Sequence, residues 1–129
     1  HNPYGIATTA KAAAGGYVLN GSKTFVIDGN SADKLIVVAR TAGEPGDRAG
    51  LSLFIVDRTA PGVSVQRTKM TDSRNAANVA LKDVKVGADA LLGKLDHGAD
   101  VLDPTLDIAR IGLTAEMLAE MKRATGVGA

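Results

Sequence analysis

The sequence predicts a mainly β fold, an antiparallel barrel or sandwich of six or seven short strands, followed by one long α-helix. Three observations carry this prediction. From Gly16 to about Val86, short apolar runs rich in Val, Ile and Leu alternate with clusters of Gly, Asn, Asp and Pro. Glycine is abundant, at 15 of 129 residues, as a turn-rich chain requires. After Gly93 the apolar spacing changes from a strand period to a helical one.

Taken in order, Tyr17-Val18-Leu19 and Lys23 to Ile27 read as a strand pair joined through Asn20-Gly21, because both turn residues tolerate positive φ. Asp28-Gly29-Asn30 closes the second strand. Lys34 to Ala39 is a continuous β-branched run, expected to be buried on both faces. A polar loop from Thr41 to Gly50 leads to the strand Leu51 to Asp57. The turn Ala60-Pro61-Gly62 precedes the alternating Val63-Ser64-Val65-Gln66. After a polar stretch, Thr68 to Asn78, two further short strands are expected at Val79-Ala80-Leu81 and Val84-Lys85-Val86, on either side of Lys82-Asp83. Such a set of strands leaves edges that must be closed or covered.

The helix is predicted from about Asp103 to Ala124. Asp103 suits an N-cap and Pro104 the first helical position. Leu106, Ala109, Leu113 and Met117 form one apolar row, and Ile108, Ile111, Ala115 and Leu118 a second. At about 1.5 Å per residue the helix would be roughly 30 Å long. Two rows make a wider stripe than one small barrel can cover, so helical partners are expected from further sequence or another subunit.

Composition narrows the chemistry. Hydrophobic residues make up 45% and charged residues 22%, a globular balance, while aromatics are only 3%, so the core must be built from aliphatic side chains and Ala. Lys and Arg number 15 against 14 Asp and Glu, a formal charge of +1, which disfavours nucleic acid and anionic membrane surfaces as partners. No cysteine is present, which excludes disulfides, thiolate metal sites and Cys nucleophiles and fits a cytoplasmic setting. His1 and His97 have no ligand-spaced neighbours, so no metal site is expected. No apolar run approaches the ~20 residues of a membrane span. The sequence opens His1-Asn2-Pro3 without an initiator Met, and is expected to be part of something longer. No G-x-S-x-G elbow and no G-x-x-x-x-G-K-[ST] loop occurs, and the one G-x-G, at Gly126 and Gly128, follows no strand.

The run Gly16-Tyr17-Val18-Leu19-Asn20-Gly21-Ser22-Lys23-Thr24-Phe25-Val26-Ile27-Asp28-Gly29 resembles the acyl-CoA dehydrogenase segment G-x-Y-x-L-N-G-x-K-x-[WF]-I-[ST]-N-G. Other pieces are similar to family elements in the family's order. They are Ala32-Asp33 before the strand ending Ala39-Arg40, then Leu53 to Val56, Pro61-Gly62-Val63, and Leu81 to Val86 against F-x-[DN]-V-x-V-P. Leu91-Leu92-Gly93 with His97-Gly98, and Leu106 to Arg110 against L-x-x-x-R, complete the set.

The resemblance implies a middle β-barrel domain over residues 1–93 and, over 94–129, the start of a C-terminal helical bundle, within a chain about three times longer. It implies FAD as cofactor, an acyl-CoA thioester as substrate, α,β-dehydrogenation with hydride transfer to flavin, an electron-transfer flavoprotein or similar acceptor, and a homo- or hetero-oligomer in the cytoplasm or mitochondrial matrix. Phe25, Val26 and Ile27 match the W-I-[ST] triplet that lies against the flavin, with Ile27 replacing a hydroxyl side chain that would bond it near N5. His1 and Asn2 fall on the end of a G-S-D element that contacts flavin and CoA, both as substitutions. Asp107 and Arg110 match substrate-arm positions, although a surface ion pair explains them equally well. Arg48 lies in the loop that approaches the CoA nucleotide, where a guanidinium suits phosphate. A minority of the family carries its catalytic Glu just before this Arg, where this chain has Ala109, so no residue here is expected to be the base. Two alternatives accompany the resemblance: a structural or substrate-binding subunit without flavin chemistry, favoured by Ile27, His1 and Asn2, and a flavin oxidase of the same fold.

Overall fold

A computed structural model describes residues 2–71 and 75–126. Among these residues seven strands form one sheet: β1 (Thr9–Ala13), β2 (Gly16–Ile27), β3 (Lys34–Arg40), β4 (Leu51–Asp57), β5 (Val63–Thr68), β6 (Ala76–Gly87) and β7 (Leu91–Leu92). A single 3-10 turn, Ala88–Ala90, separates β6 from β7, and one helix, α1 (Gly98–Thr125), ends the described chain. The sheet order is β5-β6-β2-β1-β3-β4-β7. Most neighbours are antiparallel, but β1 meets β3 in parallel at Thr9 and Arg40, where the sequence predicts antiparallel partners throughout.

Tyr17 on β2 and Phe54 on β4 meet in a tilted pair with ring centroids 5.0 Å apart. In a flat sheet three strand spacings would separate those strands by about 14 Å. The sheet therefore curls around a core to which β1, β2, β3, β4 and β6 all contribute, including Ala10, Leu19, Val37, Phe54, Val56 and Val84.

The predicted Asn20-Gly21 hairpin is not a turn. The chain reverses earlier, through Ala14 and Gly15 (φ +78), which join β1 to β2 with Ala13 paired to Gly16. β1 escapes a sequence reading because Thr-Ala-Lys-Ala-Ala has little strand propensity, and its pairing with β2 overrides that preference. Asn20 and Gly21 lie inside β2, where a Cβ at Gly21 would come within 2.7 Å of the Thr8 Cα. Glycine is required there for close approach rather than for reversal.

The two predicted strands around Lys82-Asp83 are likewise one strand, β6. Leu19 pairs with Val84 and Gly21 with Leu81, so Asn20 alone opposes Lys82 and Asp83 in a β-bulge. The bulge accommodates the polar pair without ending the strand. Asp83 sits at φ +50, its N–H donating to Asn20 Oδ1 at 2.9 Å and its carboxylate accepting from Asn20 Nδ2 at 3.1 Å.

β3 is not buried on both faces. Leu35, Val37 and Ala39 point inward, while Ile36 is 65% exposed and faces its cross-strand partner Ile55 on an uncovered outer surface. An antiparallel sheet with one solvated face alternates in this way, whatever the residue types.

Contacts divide the chain after Ala99. Within the first unit, Gly98 lies so close to β4 that a Cβ would meet the Leu51 carbonyl oxygen at 2.8 Å, and Leu51 bridges to His97. That packing starts α1 at Gly98, five residues before the predicted start. Asp103 is consequently inside the helix instead of capping it, and Pro104 is an interior residue. The 28 residues of α1 correspond to about 42 Å. Beyond Ala99 most of its apolar side chains are exposed in the described chain, among them Ile108, Ile111, Leu113, Met117, Leu118 and Met121, while Leu102 and Leu106 are half-buried.

Candidate functional site

Beyond Asn20, β2 pairs with β6 on one edge and, among the described residues, has no strand neighbour on the other. Its last residues, Phe25, Val26 and Ile27, therefore sit on an open edge. Lys23 pairs with Val79 and Val26 with Ala77, so Thr24 and Phe25 oppose Asn78 alone in a second bulge, this time on β2. Phe25 adopts φ +57, and its N–H donates to Asn78 Oδ1 at 3.1 Å. The Phe25 side chain is 59% exposed.

Val26 turns the other way and packs against the core. Ile27 projects outward at 76% exposure. Asp28, at φ +56, directs its N–H toward β6, donating to the Asn75 carbonyl at 2.8 Å. Successive N–H groups of an extended strand point to opposite edges, so the Ile27 N–H faces the open one. The edge thus offers an aromatic ring, an aliphatic side chain and one backbone donor. A flat, largely apolar heterocycle with a hydrogen-bond acceptor fits that set.

Lys23 lies on the core side of the same strand, opposite Val79. Loss of hydration lowers its pKa from 10.5 to about 8.

A second cluster forms where β3 ends. Arg40 is buried, and its guanidinium donates to five backbone carbonyls: Tyr4 and Asp47 at 2.9 Å, Ala49 at 3.1 Å, Ala42 at 3.2 Å and Ile6 at 3.4 Å. It ties the N-terminal segment to the 41–50 loop. Asn2 and Arg48, two of the residues singled out from sequence, are carried by those two segments. Asn2 Oδ1 accepts the Tyr4 N–H at 3.0 Å, one residue-link from the Arg40 cage, and Arg48 is exposed between the bonded carbonyls of Asp47 and Ala49. His1 lies outside the described residues.

The base of the same loop is fixed by a polar cluster. Thr41 Oγ1 donates to Asp96 Oδ1 at 2.6 Å and lies 2.8 Å from Ser52 Oγ, which accepts the Asp96 N–H at 2.9 Å. Ser52 is fully buried, so these hydroxyls serve as connections rather than as nucleophiles.

Asp107 and Arg110, on α1, form an exposed ion pair at 2.7 Å. Sequence reasoning missed Arg40, Asn20 and Asn78. A lone arginine ending an apolar strand was a signal for the first; the two asparagines gave none, because a bulge partner is recognisable only once the register is known.

Among the described residues no group of His, Asp and Glu could hold a metal ion, and no helix is long and apolar enough to cross a membrane.

Comparison with known proteins shows the family of the chain. The family model described as acyl-CoA dehydrogenase, middle domain, matches residues 1–84. An acyl-CoA dehydrogenase of Bacillus subtilis (strain 168) is 36% identical over 116 residues, a match covering 88% of this chain and 30% of that protein. The caffeyl-CoA reductase-Etf complex subunit CarC of Acetobacterium woodii is 32% identical over 117 residues, covering 88% of this chain and 31% of its own length. A probable acyl-CoA dehydrogenase from Mycobacterium abscessus superimposes with a TM-score of 0.80 at 32% identity, covering 86% of this chain and 30% of that one. The chain thus spans about 30% of the length of these relatives.

Proposed function

Because the chain belongs to the acyl-CoA dehydrogenase family, with the middle domain over residues 1–84, we propose that it supplies the flavin-facing β-domain of an FAD-dependent acyl-CoA dehydrogenase. The observation that carries the proposal is the open edge of β2, where Phe25 and Ile27 point outward from a core-anchored strand. FAD, when bound, supplies the acceptor for the hydride that leaves the β carbon of the thioester. The chain's own residues bind and orient. Phe25 and Ile27 present an apolar surface for the ring system and exclude water from it. The Ile27 N–H donates to a ring acceptor in place of the hydroxyl that Ile27 lacks, and Val26 anchors the edge to the core.

Asn2 and Arg48, on the segments gathered by Arg40, face the anionic part of cofactor or substrate, Arg48 as a phosphate ligand. His1 belongs with Asn2 in this reading. Asp107 and Arg110 contact the substrate arm from α1. No residue of the chain acts as base, and the carboxylate that takes the α proton is supplied by another segment. Residues 1–93 are assigned to the β-domain and 94–129 to the start of a helical domain whose further helices cover the exposed apolar side chains of α1. An electron-transferring flavoprotein is the proposed redox partner, since the similar CarC subunit is named as part of an Etf complex.

The test is the spectrum of the intact protein. A flavin band at about 450 nm that is bleached by an acyl-CoA supports the proposal. A second reading, a subunit without flavin chemistry, rests on the aliphatic Ile27 at the position of a hydroxyl side chain. It predicts no such band.

A further inference from the structure

The two bulges between β2 and β6 are built alike. In each, two residues oppose one, the extra residue has a positive φ, and the single opposing residue is an asparagine whose Oδ1 accepts the N–H left without a ladder partner. The residues held are not alike. Asp83 tolerates the left-handed region because a short polar side chain does so readily. Phe25 does not, and a bulky residue at φ +57 persists only where its surroundings enforce it.

The enforcing contact at Phe25 is the Asn78 side chain. Without the 3.1 Å bond the Phe25 N–H is left unpaired inside a two-strand ladder, and the aromatic residue is free to relax to extended backbone. Relaxation would restore strict alternation to β2. Each one-residue change in a strand's count exchanges the faces of the side chains that follow, so the outward projection of Phe25 and Ile27 depends on the bulge.

We infer that Asn78 is a positioning residue for the flavin-facing edge, holding Phe25 in its left-handed bulge so that the Phe25 ring and Ile27 project together from β2. This rests on the functional reading above. Asn78 itself is exposed on β6 and pairs across to Gln66 of β5, so its substitution does not open the core.

The experiment compares Asn78→Ala with Asn78→Asp in the intact protein, by amide hydrogen exchange and by FAD titration. Asn78→Ala is expected to accelerate exchange of the Phe25 amide by about tenfold, the loss of one ordinary hydrogen bond, while the Val79 and Leu81 amides keep their protection. It is expected to weaken FAD binding by roughly three- to tenfold, the effect of binding a side chain that is no longer preordered. Asn78→Asp retains an acceptor oxygen and keeps Phe25 protected. A Phe25 amide still protected in Asn78→Ala would overturn the inference. So would loss of that protection with FAD affinity unchanged. Absence of FAD binding by the wild-type protein would overturn the functional reading and the cofactor role of Asn78 with it, and the exchange data would then report on the bulge alone.

Discussion

Tyr17 and Phe54 touch although β1 and β3 lie between their strands, their ring centroids 5.0 Å apart at an interplanar angle of 59°. This contact joins the two halves of the curled sheet, and Phe54 is fully buried within it. Phe54→Ala is expected to lower unfolding free energy by about 3–5 kcal/mol in urea denaturation, as for other large core aromatics. A double-mutant cycle with Tyr17→Ala should give a coupling of about 1 kcal/mol. Additive effects would show that the rings merely fill space independently.

The Lys23 amine is held at about pKa 8 by the loss of hydration that its partial burial imposes. The unfolded chain keeps that proton up to the ordinary 10.5, so it binds more protons than the folded chain between those values, and stability rises with pH across the interval. At pH 7 the buried charge opposes folding. Lys23→Met should therefore stabilise the protein by about 1 kcal/mol at pH 7, allowing for partial hydration, with the advantage shrinking as pH climbs toward 10.5. Thermal midpoints of the two proteins measured across pH 7 to 10.5 check this; a constant gap would contradict it.

Arg40 donates to carbonyls in both the N-terminal segment and the 41–50 loop. Arg40→Met removes all five of these part-buried bonds and leaves the cavity of a buried guanidinium to an apolar chain, which should cost about 2–4 kcal/mol, read from chemical denaturation. Amide exchange should quicken in the N-terminal segment and in the 41–50 loop together. Quickening of one without the other would show that Arg40 does not couple them.

Gly21 fits against Thr8 at a distance no Cβ could occupy. Gly21→Ala should destabilise by at least about 2 kcal/mol, because both the clash and the φ of +142 oppose it. Asn20→Ala, which removes the bonds to Asp83, should cost about 1–2 kcal/mol in the same assay. Were Asn20-Gly21 a surface turn, both substitutions would be far milder.

The contrast at Asn20-Gly21 shows what a linear reading can recover. Strand positions from Lys34 to Val65 were legible because β-branched runs and turn chemistry are local properties, whereas which face of Lys34 to Ala39 is buried was not. The sheet order, the hairpin at Ala14-Gly15 and both bulges were not, because an Asn-Gly pair reads the same whether it reverses the chain or opposes a bulge. The helix start moved to Gly98 for the same reason: close packing of that glycine on Leu51 outweighed the local Asp103-Pro104 signal. At the candidate site, Phe25 and Ile27 were identified by their place in a family motif. That Val26 faces the core, and that Asn78 holds Phe25, followed only from the strand register.

The central claim, that the outward face of the β2 edge binds flavin, is tested most directly by the affinity of the intact protein for FAD before and after Ile27→Asp. Ile27 is 76% exposed and bears no core packing, so the substitution should leave the unfolding midpoint nearly unchanged. The account predicts one FAD bound per chain and an affinity at least about tenfold weaker in the variant, from a carboxylate placed against an apolar ring surface. Equal affinity in the two proteins, or no FAD bound by either, would contradict it.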